Sequence, residues 1–305
     1  MDFSLIDLGE FGRQLFLKIL HETSTDGTFK DLYDRCKAKD QEFVDESFPA
    51  SKLSLISNWE DPEVRDKTPK WKNFVWKRPS EFLDPEQIRI FQDRIEPSDI
   101  KQGCLGDCYF LSSLSVLAEK PDRIRRLFVT EEVNEYGIYA VRICKNGEWR
   151  QVVVDDFFPC AGITPAFSNA HGPELWVLLL EKAWAKVHGS YERIEAGFAE
   201  NVLRDLTGAP SEVLTHDDEQ LWEKLLEAEE AGFLMAASAG QTAASKDLLE
   251  EMGLVGNHSY GLLDVREVDV DGEREQLVKL RNPWGDFEWT GDWSDSSSNW
   301  TPELK

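Results

Sequence analysis

Read for the spacing of its apolar residues, the 305-residue chain divides into a helical first part and a strand-rich second part, with the changeover near residues 195–210. Leu5, Leu8, Phe11, Leu15 and Ile19 fall at helical spacing and predict an amphipathic helix over 3–20, with a second helix near 28–39. The Pro- and Trp-rich stretch "WEDPEVRDKTPKWKNFVWKRPSEF" reads as irregular, tightly packed chain. A helix follows over 108–119, with Phe110, Leu111, Leu114, Leu117 and Ala118 on one face, Ser112, Ser115 and Glu119 outside it, and Pro121 as the stop. Apolar-rich runs on either side of Asn146-Gly147 predict a β-hairpin. "ELWVLLLEKAWAKVHG" (174–189) reads as a helix apolar on nearly all sides and closed by Gly189, and another begins at 217. "GFLMAAS" predicts a buried strand; "HSYGLLDVREV" and "EQLVKLRNPW" predict two strands joined by the turn "DVDGER". The class expected is α+β, a helical lobe packed on a β-rich lobe, with no internal repeat.

Charge narrows the partners. Acids outnumber bases 58 to 34, a net charge of −24, which opposes a phosphate-tracking surface and argues against nucleic acid. No run of about eighteen apolar residues occurs, so no membrane span is expected. Asp2, Asp7 and Glu10 interrupt the first apolar residues and make a poor signal peptide. Five cysteines, an odd number in a large chain, read as reduced thiols and point to the cytoplasm.

The chemistry concentrates in "QGCLGDCYFLSSL" (102–114). Cys104 and Cys108 lack the CxxC or HxxxH partners a zinc site needs, and a disulfide suits neither the spacing nor a reducing compartment. Gly106-Asp107 can be an ordinary helix cap beside an inert, buried cysteine. Against that stands the position of Cys108, where unpaired backbone N–H groups and the positive end of the helix dipole favour a thiolate. Gln102 adds a side-chain amide able to stabilise a carbonyl oxygen gaining charge. Of five histidines, His258 alone opens a strand, although a strand histidine can be purely structural. Symmetric pairing about the turn near Asp271-Gly272 sets 258 opposite about 285 and Asn282 within a few residues. An Asn oxygen accepting the imidazole Nδ1–H would leave Nε2 for the thiol, a Cys-His-Asn arrangement.

These residues and their flanks resemble the calpain family of calcium-dependent cysteine endopeptidases. "QGCLGDCYFLSSLSVL", "ELWVLLLEKAWAKVHGSYE", "NHSYGLLDV" and "LRNPWGDFEWTGDWSDSSSNW" look like its signature blocks, from about residue 40 onward. The resemblance implies a papain-like fold of two lobes, 40–197 and 198–305, after an N-terminal helical extension of 1–39. It implies that Cys108 is the nucleophile, His258 the base and then acid, and Asn282 its orienter, with Gln102 and the Cys108 N–H at the oxyanion. Trp284 matches a tryptophan that blocks the cleft between the lobes when calcium is absent. Asp99 and Glu174 match carboxylate ligands of one Ca²⁺ site, completed by carbonyls near 92–95; Glu288 and Asp295 match two ligands of a second. The remaining ligands of that second site fall beyond residue 305, so the second lobe is expected to be truncated. Regulatory domains and a regulatory subunit are not expected from this sequence, and the implied partners are protein or peptide substrates. Two other readings compete: a catalytically silent calpain-like scaffold, and a transglutaminase-type acyl transferase, which generally uses Asp as the third member.

Overall fold

A computed structural model describes residues 2–6 (backbone only), 28–62, 64, 69–92, 94–240, 242, 245–270 and 272–304. The first lobe is built around two helices. α1 (Thr28–Lys39) and α2 (Lys52–Leu55) lead through irregular chain to β2 (Val75–Lys77) and β3 (Ile100–Gln102), then to α3 (Cys108–Ala118) and α4 (Pro121–Arg125). The hairpin of β4 (Ile138–Lys145) and β5 (Glu148–Asp155) turns through Asn146 (φ 56°) and Gly147 (φ 80°), the paired positive angles that Asn-Gly accepts readily. Short strands β6 (Phe158–Ala161), β7 (Thr164–Pro165) and β8 (Ser168–Ala170) follow, and then α5 (Trp176–His188), which ends on Gly189 at φ 102°.

The second lobe is a five-stranded antiparallel sheet in the order β12-β11-β10-β1-β9. Its strands are β9 (Ser211–Leu214), β10 (Leu234–Ala239), β11 (His258–Val270) and β12 (Glu273–Arg281), with β1 (Asp2–Ile6) between β9 and β10. α6 (Ala199–Thr207) stands between the lobes in the chain, and α7 (Leu221–Ala231) and α8 (Lys246–Glu251) complete the second lobe. Among the described residues no helix is long and apolar enough to cross a membrane.

Residues 2–6 correct the helix expected over 3–20; the rest of that span lies outside the described residues. Five residues reading Asp-Phe-Ser-Leu-Ile fit a two-residue period as well as a helical one, and pairing on both edges decides between them. Val202, Leu203 and Leu206 of α6, with Leu234 and Ala236 of β10, bury in the same core as α3 and α5. Met235, Ala237, Leu262 and Val265 form a separate second-lobe core with Leu214 and Leu225.

α3 departs from its expected amphipathicity. Every residue from Tyr109 to Ala118 is buried, serines included, because the helix runs between the two lobes. Ser113 and Ser115 satisfy their hydroxyls on carbonyls four residues back, at 2.7 and 3.0 Å. Ser112 bonds the Tyr109 carbonyl and reaches across the seam to the Ser259 hydroxyl at 2.9 Å. Gly261 lets β11 come this close, since a Cβ there would stand 3.2 Å from the Ser112 carbonyl oxygen.

Candidate active site

The loop ahead of α3 is pinned by main chain. Cys104 N–H donates to Ala166 O (2.9 Å), Ala196 N–H to Gly106 O (2.8 Å) and Gln102 N–H to Pro283 O (2.9 Å), the last a bond between lobes. Gly103 admits no side chain, because a Cβ would lie 1.9 Å from the Phe167 carbonyl oxygen. This clamping delivers Cys108, half-buried, to the first turn of α3.

The β11–β12 register puts Gly261 opposite Arg281, and β12 ends there, so Asn282 starts the loop beside the first residue of β11. His258 Nε2 lies 2.8 Å from Asn282 Oδ1. Asn282 Nδ2 donates to the carbonyls of Asp286 and Phe287, both at 3.0 Å, and its Oδ1 also accepts the Trp284 N–H at 3.1 Å. With the amide nitrogen committed as donor, the oxygen must face the imidazole. The hydrogen therefore sits on Nε2 and the lone pair on Nδ1. That reverses the ring-nitrogen assignment expected from sequence. Which nitrogen meets the amide depends on ring orientation, which strand alternation does not reveal.

Across the seam, Ser259, the residue after His258, meets α3 at the Ser112 hydroxyl (2.9 Å), and its main chain opposes the rise of the Cys108 thiol's pKa. The two lobes thus set Cys108 beside the strand end that carries His258. His258 is only 5% exposed: Trp284 packs on its ring at 4.8 Å and Tyr260 meets it edge-on at 4.9 Å. Burial holds the imidazole below its usual pKa, opposed by the Asn282 contact, so it is neutral at pH 7.

The thiol departs from expectation. Burial pushes Cys108 up, and the Asp107 charge adds to the rise against the Ser259 main chain. Desolvation opposes the helix end in this arrangement. Cys104, one turn earlier in the loop, is exposed. Gln102 Nε2 donates to Leu105 O at 2.6 Å, which spends one of its two N–H groups inside the loop.

Asp99 and Glu174 come together on the first lobe. Arg89 N–H bonds Pro173 O and Leu175 N–H bonds Arg89 O, so the 89–92 segment lies beside Glu174. Glu174 is 2% exposed, its Oε2 has no donor, and burial with the neighbouring Asp99 charge pushes it to about 7. Two facing carboxyls beside a run of carbonyls suit a hard divalent cation. Glu288 and Asp295, on the other lobe, are exposed acids within electrostatic reach of each other. Burial raises both Asp99 and Glu288, and Arg281 opposes the rise in each. No cluster of three or more His, Cys, Asp or Glu side chains gathers as a metal cage among the described residues.

Sequence reasoning missed Ser259 and Glu181. Ser259 carries no local signal, since its role depends on α3 passing beneath it. Glu181 does: a carboxylate inside an otherwise apolar helix needs a partner in the interior.

Residues 43–305 match the family described as calpain family cysteine protease. The chain is 42% identical over 275 residues to the calpain-type cysteine protease DEK1 of Arabidopsis thaliana, covering 86% of this chain and 12% of that protein. It is 40% identical over 282 residues to the calpain-type cysteine protease ADL1 of Oryza sativa subsp. japonica, covering 87% and 12% respectively. Against human calpain-9 the identity is 33% over 285 residues, covering 91% of this chain and 40% of that one. The chain therefore spans less than half the length of these relatives.

Proposed function

The chain belongs to the calpain family of cysteine proteases, and from that premise we propose that it is a calcium-dependent cytoplasmic endopeptidase that cuts protein substrates at limited sites. The observation that carries the reading is the His258–Asn282 bond at the end of β11, one residue from the Ser112–Ser259 bond that fastens that strand to the helix of Cys108. Cys108 Sγ attacks a peptide carbonyl as its proton passes to His258 Nδ1. The oxyanion takes the Cys108 N–H and the second N–H of Gln102. Imidazolium then protonates the leaving amine, and water, deprotonated by Nδ1, resolves the thioester to acid and free thiol. Asn282 holds the tautomer throughout. Trp284, packed on His258, must shift for a substrate to enter.

Asp99 and Glu174, with carbonyls near 92–95, would hold calcium on the first lobe, and Glu288 and Asp295 would contribute on the second. Calcium there would supply positive charge between carboxylates that otherwise repel. Five free thiols suit a reducing compartment. The silent-scaffold reading is disfavoured by the presence of all three side chains, and the acyl-transferase reading by Asn in the third position.

Casein cleavage by the full chain, titrated against calcium, tests the proposal beside Cys108→Ser. Activity rising with calcium and vanishing in the folded serine variant is expected. Cleavage persisting in a clean preparation of that variant would overturn the nucleophile; undiminished cleavage in chelator would overturn calcium dependence alone.

A further inference from the structure

Two carboxyls lie directly behind the nucleophile helix, and the triad chemistry uses neither. Asp107 is 0% exposed and Glu181 3%. The two side chains meet where α3 packs on α5, with Phe110 stacked on Trp184 at 5.3 Å and Trp184 Nε1 donating to the Tyr109 hydroxyl at 3.3 Å; both Asp107 oxygens and Glu181 Oε1 lack a hydrogen-bond donor among the described residues. Two carboxylates cannot bond one another, so the contact requires a proton on one of them. The next cations along α5 are engaged elsewhere, Lys182 with Asp155 and Lys186 with Asp45. Burial raises both acids; Asp107 raises Glu181 further, while the contact with Glu181 eases the ionisation of Asp107, so the proton rests on the Glu181 side of the pair.

Asp107 also occupies the N-cap position of α3 without capping it. An aspartate there ordinarily accepts an N–H from the first turn. Here the carboxyl is drawn toward α5 instead, and the helix end stays open beside Cys108.

We propose that Asp107 and Glu181 act as one proton-sharing pair that positions the nucleophile: the shared proton ties the Asp107 carboxyl to α5, keeps it off the first turn of α3, and leaves the Cys108 and Tyr109 N–H groups free for the Cys108 sulfur and the oxyanion. The inference rests on Cys108 being the nucleophile. Both acids are positioning residues. The titratable groups facing them are Cys104, Cys108, Tyr109 and Tyr191, with Ser168 of β8 against Glu181. Ionisation of Asp107 places charge near the thiol and discourages the thiolate.

The test compares the full chain with Glu181→Gln, Glu181→Ala and Asp107→Asn. The readouts are the pH profile of Cys108 alkylation by iodoacetamide, measured on the peptide that contains it, casein turnover, and the infrared stretch of a protonated carboxyl at about pH 8, above ordinary carboxyl values. The wild type is expected to show that band and Glu181→Gln to lose it. Glu181→Gln, whose amide still donates to Asp107, keeps most of kcat. Glu181→Ala releases Asp107 to cap α3 and lowers kcat roughly ten- to hundredfold with KM little changed. Asp107→Asn moves the alkylation profile to lower pH. Absence of the band in wild type, or an alanine variant matching the glutamine one in both kcat and alkylation, overturns the pair. If Glu181→Ala does not fold, the band and the Gln and Asn variants decide. Alkylation profiles that separate as expected in chains that cut no casein would support the pair and count against the endopeptidase instead.

Discussion

Glu181 and Lys182 are neighbours on α5, both buried, and they meet opposite fates. Lys182 donates to Asp155 and to Phe157 O (2.6 Å), and lies over the Trp76 and Phe158 rings at 5.5 and 5.7 Å. Asp155 also accepts the N–H groups of Asp45 (2.8 Å) and Phe157 (3.1 Å). Every charge on that side has a counter-charge and its hydrogen bonds. Glu181 turns the other way, meets a second acid, and finds no cation. A satisfied buried pair is architecture, fastening α5 to β5. An acid pair that needs a proton, one residue from the candidate nucleophile, is a costly arrangement that architecture alone does not call for.

The contrast can be broken most forcefully at Lys182. Lys182→Met strands Asp155 as a buried unpaired charge and should cost about 3–5 kcal/mol in urea unfolding. A loss under about 1 kcal/mol would erase the distinction between the two sides. Next in size, Ser112→Ala leaves the Ser259 hydroxyl unpaired across the seam and should cost about 1–3 kcal/mol, with Ser112→Ala/Ser259→Ala recovering part of it. A double variant that loses the full sum of the two single losses would show that the hydroxyls are not partners.

The acid pair also has a pH signature. The native state keeps its proton where unfolded carboxyls, at about 4, have already lost theirs. The native state therefore binds more protons in that window, and stability falls as pH rises from about 4 through the raised native value. Asp107→Asn should flatten this part of the wild-type curve in thermal melts from acid to alkaline pH; parallel curves would mean no shared proton. The smallest effect belongs to Arg150–Glu148, 2.6 Å apart but 69% exposed at both side chains. Arg150→Ala should change stability by no more than about 1 kcal/mol in the same urea assay, since water screens what the interior cannot.

Much of the fold was readable in the chain because its signals are local. Asn146-Gly147 announced its hairpin, Gly189 its helix end, and the run after 258 its pair of strands, Val270 opposite Glu273. Continuing the Gly261–Arg281 pairing would set 284 across from 258, one residue from expectation. What eluded sequence reasoning depends on elements far apart in the chain. Ser112 and Ser115 read as a solvent face, yet they bury because a second lobe closes over α3. The helix end at Cys108 promised a thiolate, but burial and Asp107 oppose it. The imidazole's orientation was set by the 282–287 loop, which folds the Asn282 amide onto its own carbonyls.

The Gln102–Pro283 bond joins the strip that leads into the nucleophile to the strip that follows the orienting amide. Because it is peptide to peptide, a scan that trims side chains to methyl groups would pass over this crossbeam without registering it. Only chemistry aimed at the peptide itself, an imino acid at 102 or an ester in place of that amide, can cut it and reveal how firmly the two halves are braced.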